Sequence, residues 1–360
     1  MSAATGCGSP ARDGAVGRDA AAPEPRVGQF PEPQAARAAL MIRPAHFGAN
    51  PETAASNRFQ APADAARRAT AEGATGEPAV AAAALAEFDA LADALARAGI
   101  GVHVLPGRNE PVCPDEVFPN NWLSTHADGT LVRYPMLAPS RRRERRDDVA
   151  DTLRRLGYAV ERIVDLTALE TQGLYLEGTG SLVLDRTARV AFACPSARTS
   201  PDAMRTFCTE MGYEPVLFDA VDRDGHPIYH TNVMMSVGTA FALVCTDAIR
   251  DPDARGRVLD ALRANGKRVI EIGYRELHAF AANLLELRGR DGPVIALSRR
   301  AFASLSTAQR GALAEHGTLV PVPVDAIETY GGGSVRCVLA EVHLPLARGG
   351  EARELPAVES

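Results

Sequence analysis

The sequence lacks the features of several common protein classes. Its six cysteines show no Cys-x-x-Cys spacing, which argues against a zinc site and against a dense disulfide framework. No apolar run reaches the length of a membrane span, and the N-terminal segment has no apolar stretch typical of a secretion signal. We therefore predict a protein of the reducing cytoplasm that has no membrane partner.

Positive charge is also in deficit. The formal net charge is −6, so nucleic acid is not an expected partner. One run of basic residues, Arg-Arg-Arg-Glu-Arg-Arg at 141–146, stands out against this background. Because acidic residues follow it at Asp147, Asp148 and Asp151, we predict a solvated helix face with salt bridges.

The length and composition allow a large core. The chain has 360 residues, of which 46% are apolar and 23% are charged. An Ala-, Pro- and Gly-rich beginning predicts a disordered leader at 1–38. We expect a single catalytic domain at 39–346 and a flexible tail at 347–360. The sequence leaves a homo-oligomer open.

The body of the chain repeats a helix–strand unit five times. In each copy a glycine ends a helix-like stretch and a β-rich run follows, which is typical of a left-handed helix cap before a strand. The five copies are spaced about fifty residues apart. Their glycines are Gly99, Gly157, Gly212, Gly266 and Gly317.

A polar loop recurs in phase with these units and leads into an apolar hairpin. The loops contain Asn120-Asn121, Glu177, His230-Thr231-Asn232, Asn283 and Gly332-Gly333-Ser334. We predict a closed ring with pseudo-fivefold symmetry, in which a strand at 39–43 joins the run 335–343. A Rossmann-like α/β domain is the alternative, but no Gly-x-Gly-x-x-Gly segment opens a helix after a strand.

If the loops converge, their side chains form a thiol site. Cys337 would be the nucleophile, His230 would transfer protons, and Glu177 would orient the histidine or hold a substrate N–H. This set suits covalent hydrolysis of a carbon–nitrogen bond with no metal and no organic cofactor. The alternative for each residue is structural: a cysteine on an apolar strand is often core, and Glu177 could be a turn residue.

Four segments of the chain resemble motifs of the pentein superfamily of guanidine-modifying enzymes. This superfamily includes arginine deiminases, dimethylarginine dimethylaminohydrolases and amidinotransferases. The resemblance covers about residues 39–345 and is most similar to the arginine deiminase-related branch called citrulline-utilization hydrolases. The segments are Val-Phe-Pro-Asn-Asn-Trp-Leu-Ser-Thr-His (117–126), Leu-Glu-Gly-Thr-Gly-Ser-Leu-Val-Leu-Asp (176–185), Tyr-His-Thr-Asn-Val-Met-Met (229–235) and Gly-Gly-Gly-Ser-Val-Arg-Cys (331–337).

The resemblance implies a five-bladed α/β propeller with the site in its central channel and a catalytic set carried by Cys337, His230 and Glu177. Arginine deiminases hold the guanidinium with two carboxylates. This chain has Asn121 (or Asn120) and Asn232 at the matching places. An amide both donates and accepts, which favours a neutral ureido substrate.

We therefore expect hydrolysis of citrulline to ornithine, carbon dioxide and ammonia. The alternative is an arginine deiminase or a dimethylargininase-like enzyme, because Asp115 and Glu116 are carboxylates that could rescue guanidinium binding. A second alternative is a non-catalytic propeller that binds a small amino acid. Candidates for holding the substrate carboxylate are Arg186, Arg198, Asn57 and Arg58.

Overall fold

Five small sheets form the body of the protein in a computed structural model. The structure describes residues 1, 32–62 and 77–347. Each sheet has three strands, and in each the central strand has one antiparallel and one parallel neighbour. This repeated unit confirms the five-bladed α/β architecture expected from the sequence.

Within the described residues the strands are numbered in chain order. They are β1 Ala38–Arg43, β2 Gly101–Pro106, β3 Leu123–Thr125, β4 Thr130–Arg133, β5 Arg162–Asp165, β6 Val183–Asp185, β7 Val190–Ala193, β8 Glu214–Leu217, β9 Met235–Val237, β10 Phe241–Cys245, β11 Arg268–Ile272, β12 Leu285–Gly289, β13 Gly292–Ser298, β14 Thr318–Val322 and β15 Ala340–Val342. The sheets are β15-β1-β2, β3-β4-β5, β6-β7-β8, β9-β10-β11 and β12-β13-β14.

The α-helical segments of the same residues are α1 Pro51–Ala54, α2 Glu77–Arg97, α3 Pro139–Arg142, α4 Val149–Arg155, α5 Gly178–Ser181, α6 Pro201–Met211, α7 Pro252–Ala264, α8 Tyr274–His278, α9 Arg299–Ser304, α10 Thr307–Ala314 and α11 Val335–Val338. Single 3₁₀ turns lie at Pro119–Asn121, Thr231–Val233 and Thr246–Ala248, a six-residue 3₁₀ helix spans Thr167–Gln172, and a π-helical turn lies at Ile327–Gly331.

Helix α2 shows how sequence pattern builds a blade. Its apolar residues Ala84, Phe88, Leu91 and Leu95 recur at helical spacing and are all buried. They pack in one cluster with Met41 of β1. Burying a side chain such as Phe88 contributes about 1.5–3 kcal/mol, so this stripe fixes the helix against its sheet.

The helix-ending glycines behave as predicted in four of five units. Gly99, Gly157, Gly212 and Gly266 have positive φ angles between 66° and 94°. Gly317 is different: it is not among the positive-φ residues, and an added Cβ would lie 2.8 Å from the carbonyl oxygen of Pro293. Close strand contact, not a helix cap, explains the glycine there.

The two ends of the folded body meet in one blade. Strand β15 pairs antiparallel with β1, with Ala38 opposite Val342 and Leu40 opposite Ala340. The prediction that the first strand joins the C-terminal run is therefore confirmed. The ring closes next to Cys337, which lies three residues before β15.

The proposed leader and tail fall mostly on residues 2–31 and 348–360, which lie outside the described residues. The boundary at 38 differs from the structure, since residues 32–38 pack into the body. Glu32 is 3% exposed and accepts hydrogen bonds from Arg186 and from the hydroxyl of Tyr213. Its partners lie far along the chain, so local composition gives no sign of them.

In the part of the chain that the structure describes, no helix combines the length and apolar character needed to cross a membrane. The cysteines in that part, Cys113, Cys194, Cys208, Cys245 and Cys337, are all free and buried.

Candidate active site

The polar loops predicted to share one centre do meet. Glu177 directly precedes α5, His230 directly precedes a 3₁₀ turn, and Cys337 lies within α11. Each loop comes from a different blade, and the three side chains are no more than 3% exposed. The ring therefore assembles residues that are far apart in sequence, as the repeat predicted.

His230 and Glu177 form a buried pair. Nε2 of His230 lies 2.9 Å from Oε2 of Glu177. The other oxygen of Glu177 accepts from the backbone N–H of Leu137 at 3.1 Å. With one oxygen on the imidazole and the other on the backbone, Glu177 is positioned to orient His230 and to fix its tautomer.

The pKa values of this pair are shifted. Burial alone would raise the pKa of Glu177, but the charge of Arg198, the bond to His230 and the charge of Arg141 outweigh it and lower the pKa to about 2. Burial, together with the charges of Arg198 and Arg141, lowers the pKa of His230 to about 4 despite its bond to Glu177. At neutral pH the pair is a carboxylate and a neutral imidazole.

A glycine makes room for the imidazole. A Cβ built on Gly180, in α5, would lie 2.7 Å from Nδ1 of His230 and 2.5 Å from Nδ2 of Asn121. Real Cβ atoms do not approach that closely, so only glycine fits here. The Gly-Thr-Gly segment of the sequence is thus part of the site and is more than a turn.

The sulfur of Cys337 is surrounded by amides. Nδ2 of Asn283 lies 3.3 Å from Sγ, and Nδ2 of Asn232 lies 3.5 Å from it. The glycine-rich turn before the cysteine packs closely: the carbonyl oxygen of Gly332 accepts from the Tyr229 hydroxyl at 2.5 Å. Gly332 has a φ of +64°, a conformation that favours glycine.

Cys337 and His230 line one small pocket. Its other lining residues are Thr53, Asn57, Asp115, Phe118, Asn121, Arg141, Arg198, Tyr229 and the glycines at 331–333. Asp115 and Asn121 are the predicted substrate-binding residues that the structure places in this lining. Of the candidates for the substrate carboxylate, Arg198 and Asn57 are there as well.

One side-chain oxygen of Asp115 has no hydrogen-bond partner. It is 3% exposed, and its Oδ2 accepts from Nδ2 of Asn50 at 2.8 Å and from the Thr53 hydroxyl at 3.3 Å. Its Oδ1 is buried and has no hydrogen-bond partner. Burial raises the pKa of Asp115, against the lowering effect of Arg141 and of the Asn50 bond. Glu116 is not in the pocket lining and accepts instead from the N–H groups of Ala45 and Arg108.

Two other predicted asparagines do not line the pocket. Asn120 lies behind Asn121 and accepts from its Nδ2 at 3.0 Å. Asn232 lies beside the sulfur and also donates to the carbonyl oxygen of Thr179 at 3.3 Å. Asn121 itself lines the pocket and accepts from the guanidinium of Arg141 at 2.6 Å.

The interpretation of the arginine run as a solvated face is wrong for Arg141 and Glu144. Each is 2% exposed. They form a buried ion pair at 2.8 Å, and Arg141 also lies 3.9 Å from Oε2 of Glu177. Helix α3 ends at Arg142, so the run does not continue along one helix face. The charge pattern of the run is that of an exposed surface, and it contains no signal for this burial.

The remaining arginine candidates lie elsewhere. Arg186 is buried in a separate ionic cluster, where it binds Glu32 at 2.5 Å and lies 3.7 Å from Glu341. Arg58 lies beside a different, more open pocket. Arg198 is therefore the predicted arginine that reaches the site of Cys337.

The fold and the buried thiol–imidazole–carboxylate set together define a hydrolase of the pentein superfamily, a class that acts on the C–N bonds of guanidino compounds. A sequence model of one of its families, described as N,N dimethylarginine dimethylhydrolase, eukaryotic, matches residues 43–344. The chain belongs to this family.

Solved structures show the same fold at low sequence identity. Full-length ArgZ, an arginine dihydrolase from the ornithine-ammonia cycle in cyanobacteria, has a TM-score of 0.64 at 18% identity; the match covers 88% of this chain and 42% of ArgZ. The present chain thus spans about two fifths of that protein. A substrate-bound Cys-to-Ser variant of the ArgZ N-terminal domain gives a TM-score of 0.63 at 18% identity, over 84% and 97% of the two chains.

A third structure is a dimethylarginine dimethylaminohydrolase variant in an adduct with S-methyl-L-thiocitrulline. Its TM-score is 0.58 at 14% identity, and the match covers 85% of this chain and 99% of that one. No curated protein sequence matches the chain.

Proposed function

We propose that this protein hydrolyses the guanidino group of free arginine or of a closely related amino acid, with Cys337 as the nucleophile. The observation that carries the proposal is the buried Oδ1 of Asp115, which has no hydrogen-bond partner, on a residue that lines the same pocket as Cys337 and His230. A carboxyl oxygen without a partner suits a cationic N–H donor, whose charge favours the ionised form of the carboxyl. Family membership and the arginine ligands of similar structures point to the same substrate class.

The charges around the pocket favour a cation. Arg141 is paired with Glu144 at 2.8 Å, and Arg198 lies 3.4 Å from Glu177. Asp115 is the carboxyl group of this pocket that has no arginine paired closely with it: its nearest contact with Arg141 is 3.8 Å. A guanidinium would balance this charge, whereas a neutral ureido group would leave it unbalanced in a buried place.

Arg198 is the better candidate for the substrate carboxylate. Arg141 makes two close bonds to Glu144 and one to Asn121, so its guanidinium is already engaged. Arg198 has one longer contact with a carboxylate and otherwise donates to Ser56 and to the carbonyl oxygen of Thr53. Its remaining donor capacity suits an α-carboxylate.

The proposed reaction has two halves. The Cys337 thiolate attacks the guanidinium carbon and an S–C bond forms. One C–N bond then breaks as the departing amine takes up a proton that another guanidinium nitrogen gives up, which leaves a neutral S-linked amidine. Water then attacks the same carbon while His230 accepts a proton, the S–C bond breaks, and the product carries a C=O in place of the lost nitrogen. Because Nε2 of His230 faces Glu177, Nδ1 is the nitrogen left to exchange protons.

Hydrolysis of a ureido group is a second candidate, favoured by Asn121. Its amide lines the pocket at the place where arginine deiminases carry a carboxylate. Its oxygen is bonded to Arg141, but Nδ2 keeps one N–H beyond its bond to Asn120 and can donate it to a ureido oxygen. Citrulline, the product of the first hydrolysis of arginine, could then be cleaved at the same thiol to ornithine, carbon dioxide and ammonia.

Product identification tests both candidates. Purified protein is incubated separately with arginine, with N-methylated arginines and with citrulline, and the amines and amino acids are quantified. Turnover of a guanidino substrate supports the proposal; ornithine from citrulline adds the second step. Turnover of citrulline with every guanidino compound inert contradicts the proposal. The Cys337→Ser variant, checked for folding, should turn over none of them.

A further inference from the structure

The sulfur of Cys337 lies against two side-chain amides that the proposed reaction has so far left without a role. From this contact we infer that Asn283 and Asn232 are catalytic: they donate hydrogen bonds to the Cys337 thiolate and stabilise it in the resting enzyme. The inference rests on the proposed function only in taking Cys337 as the nucleophile.

Two amide donors face the sulfur, and both lie closer to it than the amide oxygen Oδ1 of Asn283, which is 3.6 Å away and can accept from the neutral thiol. Nδ2 of Asn283 is 3.3 Å from Sγ and also donates to the carbonyl oxygen of Asn232 at 3.1 Å. Nδ2 of Asn232 is 3.5 Å from Sγ. Both asparagines are at most 2% exposed, so water does not compete for the sulfur. A thiolate only accepts hydrogen bonds, and charged acceptors form the stronger ones.

Asn283 is held for this task by its backbone. Its N–H donates to the carbonyl oxygen of Phe280 at 2.9 Å, and its carbonyl oxygen accepts from the N–H of Arg336, the residue before the cysteine. The loop before β12 is thereby tied to α11. This link fixes the distance between the Asn283 amide and the sulfur.

The charged and titratable groups around Cys337 are committed to other partners. His230 is bonded to Glu177, and burial keeps its imidazole neutral near pH 7. Arg336 donates to Glu341 at 2.8 Å, and Tyr229 donates its hydroxyl to Gly332. Helix α11 has four residues and Cys337 is the third, so the sulfur does not cap a helix N-terminus. Stabilisation of the thiolate therefore falls to the amides.

Alkylation of the thiol measures this effect without any substrate. The rate of reaction of Cys337 with iodoacetamide is followed from pH 5 to pH 10 in the intact protein, with Cys337→Ser giving the background from the other cysteines. Loss of one charge-assisted donor should lower the alkylation rate at pH 7 about tenfold. The same rate should be recovered at high pH, where the thiolate forms without help.

The variants are Asn283→Asp, which keeps the shape and places an acidic group beside the sulfur, and Asn283→Leu, which removes the donor. Asn232→Ser removes the other donor and leaves Asn283 in place. Each should move half-maximal alkylation to higher pH. Gln34→Leu is the matched control, because Gln34 is a buried amide that donates to the backbone of Leu184 and Val237 and not to sulfur.

An unchanged pH of half-maximal alkylation in folded Asn283→Asp and Asn232→Ser would overturn the inference. A similar shift in Gln34→Leu would also overturn it, since the effect would then come from general loosening. Thermal melting identifies any variant that does not fold. If Asn283→Leu fails, Asn232→Ser decides, because the carboxylate of Asn283→Asp would repel a thiolate even without a native hydrogen bond. Failure of the substrate panel leaves these outcomes readable, because alkylation needs no turnover.

Discussion

Replacing Asp115 by asparagine should separate a guanidino substrate from a ureido substrate. The change preserves shape, and the new Oδ1 can still accept from Asn50, whose Nδ2 is 2.8 Å from the native carboxylate. What is lost is the negative charge and the free acceptor that belongs to the pocket. The new NH₂ group would face a cationic donor, which is unfavourable.

The size of the effect follows from the burial of the contact. A hydrogen bond between two charged groups in a site that is 3% exposed contributes about 1.5–3 kcal/mol. At about 1.4 kcal/mol per factor of ten, kcat/KM for arginine should fall about ten- to hundredfold. For citrulline, which carries no charge on its ureido group, an ordinary hydrogen bond contributes about 0.5–1.5 kcal/mol, so kcat/KM should fall only about two- to tenfold.

Stability gives an internal check on this variant. Burial raises the pKa of Asp115, so the ionised carboxylate destabilises the folded state near neutral pH. Asp115→Asn should therefore unfold at the same temperature as the native protein or at a higher one while its activity falls. That opposite movement distinguishes a functional loss from damage to the fold.

Glu116→Gln is the matched control, because Glu116 lies next in sequence but bonds to the backbone of Ala45 and Arg108 outside the pocket. Its ratio of arginine to citrulline turnover should match that of the native protein. The reasoning is refuted if folded Asp115→Asn keeps its arginine kcat/KM, or if arginine and citrulline turnover fall equally.

Further predictions concern space, protons and access. Gly180→Ala should lower the free energy of unfolding by about 1–3 kcal/mol and remove most of the activity, because the added Cβ would clash with His230. Gly256→Ala is the control: it lies in the middle of α7, and its added Cβ would have no atom within 4 Å. It should raise the free energy of unfolding by about 0.5–1 kcal/mol and leave activity unchanged. His230 has a folded pKa of about 4, below its ordinary 6.5, so the unfolded chain binds the proton first as pH falls. Urea titrations at pH 7 and pH 5 should show a loss of about 2 kcal/mol from this group that His230→Asn lacks; equal losses in both proteins would contradict the assignment. Finally, arginine should slow alkylation of Cys337, measured by mass spectrometry of the modified peptide, and no slowing would place the thiol outside the substrate pocket.

Local signals explain why the sequence predicts the ring. A left-handed glycine after a helix depends on a few neighbouring residues, and it recurs in phase in four of the five units. Because Glu177, His230 and Cys337 occupy matching positions in their repeats, the sequence predicts that they converge on one centre, although it shows no contact between them. Asn283 shares that phase, but only the structure shows that its amide touches sulfur at 3.3 Å.

Burial of charge is what the sequence does not reveal. Arg141 lies in a run that reads as solvent-exposed, yet it bonds to Glu144 and to Asn121, which is twenty positions away. Glu32 packs inside because Arg186 is there to neutralise it, across a separation of 154 residues. A buried charge is stable only when its partner is buried beside it, and the local sequence around one partner does not indicate the other.

The blade β15-β1-β2, which joins the two ends of the folded body, determines when during synthesis the proposed active site can form. Strand β15 supplies the last edge of the ring by pairing with β1, and Cys337, the proposed nucleophile, lies three residues before that strand. A nascent chain therefore carries His230 and Glu177 long before it carries Cys337. Under the proposed mechanism, enzyme activity reports that the late residues have paired with the earliest strand and closed the ring.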